Sequence, residues 1–278
     1  MSLAIPQAAP SLRLRPQPQP LVIEVGSVPI QLRSSDPRFR KLIEKRYAGF
    51  LNPSAIPVCR FEIHLTSNAR LIDQDLTVFK RGSVWRLERG DFLAELDLRC
   101  REGWIRQTAN PYSIDSVLRI THSLLLATEG GFLLHASSAM RNGRAFLFAG
   151  VSGAGKTTMA RLAPPDATLL TDEISYVRRA GSGYQAHGTP FAGELARPGA
   201  NLSAPLDTLF LLEKAPANSV HPVAQRLAAS AFLRHVLFFA EDAELVSRVF
   251  ESALEFVSRV NIARLAFQPD ARVWELIR

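Results

Sequence analysis

Cysteine is scarce in this chain of 278 residues, and its two cysteines, Cys59 and Cys100, lie far apart in the sequence. Neither belongs to a Cys-x-x-Cys pair or to a Cys/His cluster with metal-ligand spacing. A structural zinc site and a disulfide framework are therefore not expected. Two free thiols are typical of a protein in the reducing cytosol.

Long uninterrupted hydrophobic runs are also absent. The two most apolar stretches, 124–136 and 231–242, are broken by Glu129 and Arg234, so neither supplies the roughly 20 apolar residues of a membrane-spanning helix. Residues 1–20 are rich in proline and glutamine and lack the apolar core of a signal peptide. The sequence therefore predicts a flexible N-terminal tail on a cytoplasmic protein without a membrane partner.

The charge balance is basic, with a formal net charge of +7 and an isoelectric point near 9.9. This favours acidic ligands such as nucleotides, but the lysines and arginines are scattered along the chain rather than clustered. We therefore expect no nucleic-acid partner. With 47% hydrophobic residues, the chain has enough apolar material for one large or two modest domains.

Beyond the tail, the sequence divides into two regions with different patterns of apolar and polar residues. Residues 21–110 alternate apolar and polar positions around one helix capped near Asp36, which predicts a small, mainly antiparallel α+β domain. Residues 111–278 open with helical spacing over 112–129 and continue with mixed strands and helices, including helical spacing over 223–239. The expected fold class is α/β with α+β character.

The stretch GVSGAGKTT, residues 150–158, has the pattern of a phosphate-binding loop. An apolar strand precedes it and a helix follows, and its glycines let backbone N–H groups turn towards an anion. Lys156 is expected to reach the terminal phosphates of ATP, and the Thr157 hydroxyl to hold Mg²⁺. The predicted nucleotide-binding residues of this loop are Gly150, Ser152, Gly153, Ala154, Gly155, Lys156, Thr157 and Thr158.

An acidic pair, Asp172-Glu173, ends the next apolar strand. Beside a triphosphate, one carboxylate can order Mg²⁺ while the other accepts a proton from an attacking hydroxyl. Glu213, which ends the apolar run TLFLLEK, is a rival metal ligand, but Lys214 follows it directly. The sequence therefore favours the acidic pair.

Three further side chains are candidates near the phosphates. His135 lies on the strand expected to pair with the one that feeds the glycine loop. Glu194 and Arg197 lie in a loop rich in glycine and proline, residues 185–199, and are candidates for metal and phosphate contacts respectively.

His135 in LLHAS, the loop GVSGAGKTT and the pair in TDE together resemble the catalytic domain of HPr kinase/phosphorylase and its shorter relatives. That family shares a nucleotide site with ATP-dependent phosphoenolpyruvate carboxykinases. The resemblance covers roughly residues 112–194. It implies that Asp172 is the base that deprotonates a substrate serine, that His135 and Lys156 serve the phosphates, and that metal contacts come from Thr157, Glu173 and Glu194.

The resemblance implies a Mg-ATP-dependent kinase acting on a serine or threonine hydroxyl of a peptide or small protein. The sequence shows no signature for recognising HPr, so another acceptor is expected. An ATP-sensing module without phosphoryl transfer and a small-molecule kinase are the alternatives. Since HPr kinases are hexamers, a homo-oligomer is also an expectation of the resemblance.

Overall fold

The structure is a computed structural model that describes residues 20–67 and 75–278. It confirms a mixed α/β class, with two mixed sheets and several helices. The Pro-rich segment 1–19 lies outside the described residues, so the predicted tail stays a prediction.

The first sheet contains seven strands in the order β1-β2-β3-β7-β6-β5-β4. Strand β3 is parallel to both of its neighbours and the other pairs are antiparallel, so the sheet is mixed. The strands are β1 (Leu21–Val25), β2 (Val28–Ser34), β3 (Cys59–Leu65), β4 (Thr77–Arg81), β5 (Val84–Arg89), β6 (Phe92–Asp97) and β7 (Glu102–Gln107).

Helix α1 (Pro37–Arg46) begins where the sequence predicts. The Asp36 side chain accepts hydrogen bonds from the backbone N–H groups of Arg38 and Phe39, both at 2.8 Å, and proline occupies the first turn. A short 3₁₀ helix, Ala48–Phe50, follows. This segment carries the chain from β2 to β3, which is why these two strands can run parallel.

Helix α2 (Tyr112–Glu129) links the first sheet to the second, and it ends at Gly130 in the left-handed conformation, φ 73°. The second sheet has the path β10-β8-β11-β12-β13-β15-β14, with β9 paired to β8 and β13. Its strands are β8 (Phe132–Arg141), β9 (Arg144–Ala149), β10 (Ala167–Thr171), β11 (Ile174–Ala180), β12 (Gly183–His187), β13 (Ser203–Lys214), β14 (Ser219–Pro222) and β15 (Asn261–Phe267).

Three further helices complete this half of the chain. They are α3 (Lys156–Arg161), α4 (Gln225–Leu233) and α5 (Ala243–Arg259), and a terminal 3₁₀ helix spans Ala271–Leu276. The helix expected over 223–239 stops early, because residues 235–237 run beside β8 instead: Leu237 N donates to Leu133 O at 2.8 Å. Sheet pairing thus replaces the last turns of the expected helix.

Strand β8 changes partners along its length, and this places the site. His135 pairs with Ile174 of β11, whereas Ser138 pairs with Thr171 of β10. On the other edge, β9 leaves β8 after the pair Ala136–Ala149 and runs into the glycine loop. The loop, His135 and the acidic pair between β10 and β11 therefore meet at one point of the sheet.

The two halves of the chain share contacts and core. Asp115 of α2 accepts hydrogen bonds from Tyr47 and from Arg46, whose Nε lies 3.0 Å from its Oδ1. Arg178 donates to the carbonyl of Gly26, the turn between β1 and β2, at 2.9 Å. Buried apolar residues of both sheets belong to one continuous cluster, so apolar packing continues from one half to the other.

Within residues 20–67 and 75–278, none of the helices has both the length and the apolar character that crossing a membrane requires.

Candidate functional site

The glycine loop has a backbone that its glycines make possible. Gly153 and Gly155 have φ of 75° and 111°, a region that side chains disfavour. A Cβ on Gly155 would also lie 2.5 Å from the ring of Phe267, at the end of β15. Strand β9 precedes the loop and α3 follows it, as the sequence predicts.

Neighbouring elements hold the start of α3 in place. Ser137 of β8 donates its hydroxyl hydrogen to the carbonyl of Lys156 at 3.1 Å. The indole N–H of Trp274, in the terminal 3₁₀ helix, donates to the carbonyl of Met159 at 3.2 Å. The loop is therefore clamped between the sheet and the C-terminal segment.

The Lys156 ammonium lies inside the loop, where Nζ donates to the carbonyls of Gly150 at 2.9 Å and Val151 at 3.4 Å. Burial lowers the pKa of Lys156, and the negative charges of Glu173 and Glu194 oppose that shift. The structure thus holds a partly desolvated cation in the centre of the loop, next to two carboxylates. A phosphate group is the ligand that such an arrangement suits.

A cleft of about 540 Å³ opens over the loop, within the size range of small-molecule sites. It brings together most of the predicted residues with three that were not predicted, Arg119, Ala192 and Gly193. The lining residues are Arg119, His135, Ser152, Gly153, Gly155, Lys156, Thr157, Thr158, Glu173, Ala192, Gly193 and Glu194.

His135 and Glu173 face each other across this cleft, with His135 Nδ1 3.5 Å from Glu173 Oε1. Burial and the positive charge of Lys156 lower the pKa of His135, while Glu173 opposes the shift. The imidazole is therefore neutral at neutral pH. A neutral imidazole at this distance contacts the carboxylate without an ionic attraction to it.

Asp172, the predicted base, is buried between β10 and β11. The residue is 2% exposed, and its two carboxylate oxygens accept the backbone N–H groups of Gly193 at 2.9 Å and Leu195 at 2.8 Å. Asp172 and Glu173 form the bend between β10 and β11, and of the two only Glu173 is a lining residue of the cleft. The carboxylate available to a ligand is Glu173, whereas Asp172 fixes the loop that carries Glu194.

Of the other candidate residues, Glu194 lies in the cleft, whereas Arg197 and Glu213 lie outside it. Glu194 lines the cleft and forms an ion pair with Arg161 at 3.9 Å. Arg197 is exposed and is not one of the lining residues. The rival carboxylate Glu213 also lies outside the cleft, where it pairs with Arg264 at 3.4 Å.

Arg119 of α2 is the lining residue that lies outside every segment expected at the site, whereas Ala192 and Gly193 belong to the expected loop 185–199. Its guanidinium carbon lies 5.1 Å from the ring centroid of Phe191, and burial lowers its pKa. The available signal was a lone arginine between the apolar positions Leu118 and Ile120 of a helix that is buried along most of its length.

The site suits Mg²⁺ bound together with a nucleotide better than a metal bound by protein alone. Among the described residues, no three acidic, histidine or cysteine side chains are grouped as metal ligands. Mg²⁺ in nucleotide sites takes one or two protein oxygens and completes its shell with phosphate oxygens and water. Thr157, Glu173 and Glu194 line the same cleft and could supply such oxygens.

Comparison with known proteins identifies a family. A family model described as SynChlorMet cassette protein ScmC matches residues 112–278, which include α2, the second sheet and every residue that lines the cleft. Because the match covers more than half of the chain, the chain belongs to this family. Its description states no reaction. No curated protein matches the chain.

Proposed function

We propose that this member of the ScmC family is a Mg-ATP-dependent kinase that phosphorylates a serine or threonine hydroxyl of a peptide or small protein. The observation that carries the proposal is the meeting of the loop lysine, Lys156, with Glu173 and His135 in one cleft. Phosphoryl transfer depends on alignment, charge neutralisation and a place for the acceptor proton.

Each of these needs has a residue in the cleft. The backbone of the glycine loop and the Lys156 ammonium bind the phosphates of ATP. Thr157 and Glu194 would hold Mg²⁺, which supplies neutralisation of the phosphate charge. The hydrogen bonds from Gly193 and Leu195 to Asp172 keep the loop that bears Glu194 beside the phosphates.

Glu173 is the proposed base that accepts the proton of the attacking hydroxyl. The acceptor oxygen forms a bond to the γ-phosphorus while the bond from that phosphorus to the β,γ-bridging oxygen breaks, and the hydroxyl proton passes to the Glu173 carboxylate. Neutral His135, whose Nδ1 lies 3.5 Å from Glu173 Oε1, would help to position the γ-phosphoryl group. This assigns Glu173 the role that the resemblance to HPr kinase gives to Asp172.

The proposed acceptor class rests on the resemblance to HPr kinase and on the part of the chain that this resemblance does not cover. The three matching elements, His135, the glycine loop and the acidic pair, all lie within residues 111–278. The first sheet and the missing HPr-recognition signature favour an acceptor other than HPr.

The test is transfer of label from γ-labelled ATP with Mg²⁺ to polypeptides of a desalted lysate from the native host. We expect acid-stable labelled polypeptide with the wild type. Lys156→Ala is expected to lose nucleotide affinity, and Glu173→Gln to bind ATP but lose transfer by about 100-fold or more, the usual worth of a proton acceptor.

Glu213→Gln is the matched control, since that carboxylate lies outside the cleft and pairs with Arg264. It should label as the wild type does. Undiminished labelling by Glu173→Gln would contradict the assignment of the base, and a wild type that binds no ATP would contradict the whole proposal.

One observation favours a second candidate, an ATP-sensing module. Both oxygens of Asp172 are engaged by the backbone of the loop at Gly193 and Leu195. A ligand that shifts this loop would thereby change the surface next to the cleft. Tight ATP binding with no labelled product in the lysate assay, macromolecular or small, would favour this candidate over a kinase.

A further inference from the structure

Arg119 differs from the other partly buried arginines that face the interior of the chain. Arg46 pairs with Asp115, Arg178 with Glu129 at 2.9 Å, and Arg141 with Asp166 at 2.8 Å. Within the described part of the chain, Arg119 has no ion pair, and its buried Nε has no hydrogen-bond acceptor. The carboxylates of Asp115 and Glu173 act on its charge from a distance but do not pair with it. A desolvated guanidinium without an ion pair is costly, which makes a bound anion its natural complement.

The position of Arg119 points to the cleft as the place of that anion. Arg119 comes from α2 and Lys156 from the start of α3, so two cations reach the same cleft from different elements. His135 lines the same cleft as both cations. The ring of Phe191, 5.1 Å from the guanidinium carbon, fixes the Arg119 side chain from one face.

We propose that Arg119 binds the terminal phosphoryl group of a nucleoside triphosphate held by the glycine loop. The inference rests on nucleotide binding by the proposed kinase. The planar guanidinium matches two phosphate oxygens at once, and its contacts to phosphate are charge-assisted hydrogen bonds. Arg119 thereby distinguishes a triphosphate from a diphosphate, because only the triphosphate has a group beyond those cradled by the loop.

The test compares the affinities of a non-hydrolysable ATP analogue and of ADP, each with Mg²⁺, by titration calorimetry on the full chain. The variants are Arg119→Gln, which removes the charge, and Arg119→Met, which keeps the packing on Phe191. We expect both to weaken binding of the analogue by about tenfold or more, the worth of charge-assisted bonds, with ADP affinity within about twofold of the wild type.

Arg144→Gln is the matched control, because Arg144 is exposed and pairs with Asp207 at 2.7 Å, away from the cleft. It should leave both affinities unchanged, and thermal melts of all variants show whether each is folded. Arg119→Lys, which keeps the charge but lacks the planar fork, should lie between wild type and Arg119→Gln.

The outcomes separate this inference from the proposed function. Loss of analogue affinity with ADP affinity retained supports it. Equal losses for both nucleotides, no loss for either, or unchanged nucleotide affinity with a raised KM for the acceptor would each overturn it and leave the kinase proposal standing. A wild type that binds neither nucleotide would overturn both.

Discussion

At the scale of single residues, His122 is a buried imidazole with a clear consequence for stability. Its Nδ1 lies 3.2 Å from the hydroxyl of Tyr176, and burial lowers its pKa from 6.5 to about 3. Because the folded protein binds no proton here between these values and the unfolded chain does, acid favours unfolding. His187, on the other side of the Tyr176 ring, acts in the same direction, since burial lowers its pKa to about 4.

His122→Gln is therefore expected to flatten the pH dependence of stability. In the wild type, the His122 contribution to the free energy of unfolding falls by about 2 kcal/mol between pH 7 and pH 5, because the unfolded imidazole gains its proton below pH 6.5. Urea unfolding at the two pH values measures the change. His221→Gln, at an exposed position, should keep the wild-type dependence, and an unflattened profile for His122→Gln would contradict the assignment.

Gly155 is a second residue whose substitution is expected to be costly, because one added Cβ would meet a neighbouring side chain. Gly155→Ala places a Cβ 2.5 Å from the Phe267 ring at φ 111°, so we expect a loss of about 1–3 kcal/mol in stability and weaker nucleotide binding. Gly183→Ala is the control, since a Cβ there meets no atom within 4 Å. Chemical denaturation and ATP titration of both variants measure the difference, and equal behaviour would count against the close approach.

At the scale of elements, the loop that carries Glu194 depends on one carboxylate between β10 and β11. Asp172 accepts two backbone N–H groups from this loop, at Gly193 and Leu195. Each is a hydrogen bond to a charged group, stronger than a neutral one. The order of the loop is thus linked directly to the strand end that also presents Glu173 to the cleft.

Asp172→Ala should release this loop without unfolding the sheet. We expect hydrogen exchange at the amides of Gly193 and Leu195 to accelerate by about tenfold or more, since each loses its acceptor. Glu173→Gln changes the adjacent side chain and should leave both amides protected. Protection that survives in Asp172→Ala would show that other contacts hold the loop.

At the scale of the whole molecule, the two sheets are joined through α2 and a shared core. Asp115 binds Arg46 and Tyr47 from the first half, and Arg178 reaches the turn at Gly26 from the second. Buried apolar residues run through both halves in one cluster. We therefore expect one cooperative unfolding transition rather than two.

Asp115→Ala tests the contact between the two halves of the chain. It leaves the Arg46 charge and the buried Tyr47 hydroxyl without their partner, at an expected cost of about 3–5 kcal/mol in unfolding free energy. Glu44→Ala, which removes only a helix-surface pair with Arg40, should cost less than about 0.5 kcal/mol. Two separate calorimetric transitions in the wild type would show that the halves fold independently.

The sequence alone was enough to predict the features that depend only on residues close together in the chain. The cap at Asp36, the helix end at Gly130 and the glycine loop between a strand and a helix could all be predicted, because each needs only residues a few positions apart. The mixed α/β class followed from the same periodicities. The closeness of His135 to the loop followed from one hairpin.

Which contacts form between segments that are distant in the sequence was decided only in the tertiary structure. The bonds from Gly193 and Leu195 engage both oxygens of Asp172, whereas Glu173 lines the cleft. Residues 235–237 join β8 because its edge offers unpaired backbone groups, a gain that helical spacing does not record. Arg119 enters the site only because α2 packs against β8, so its role depends on a contact between elements and not on a motif.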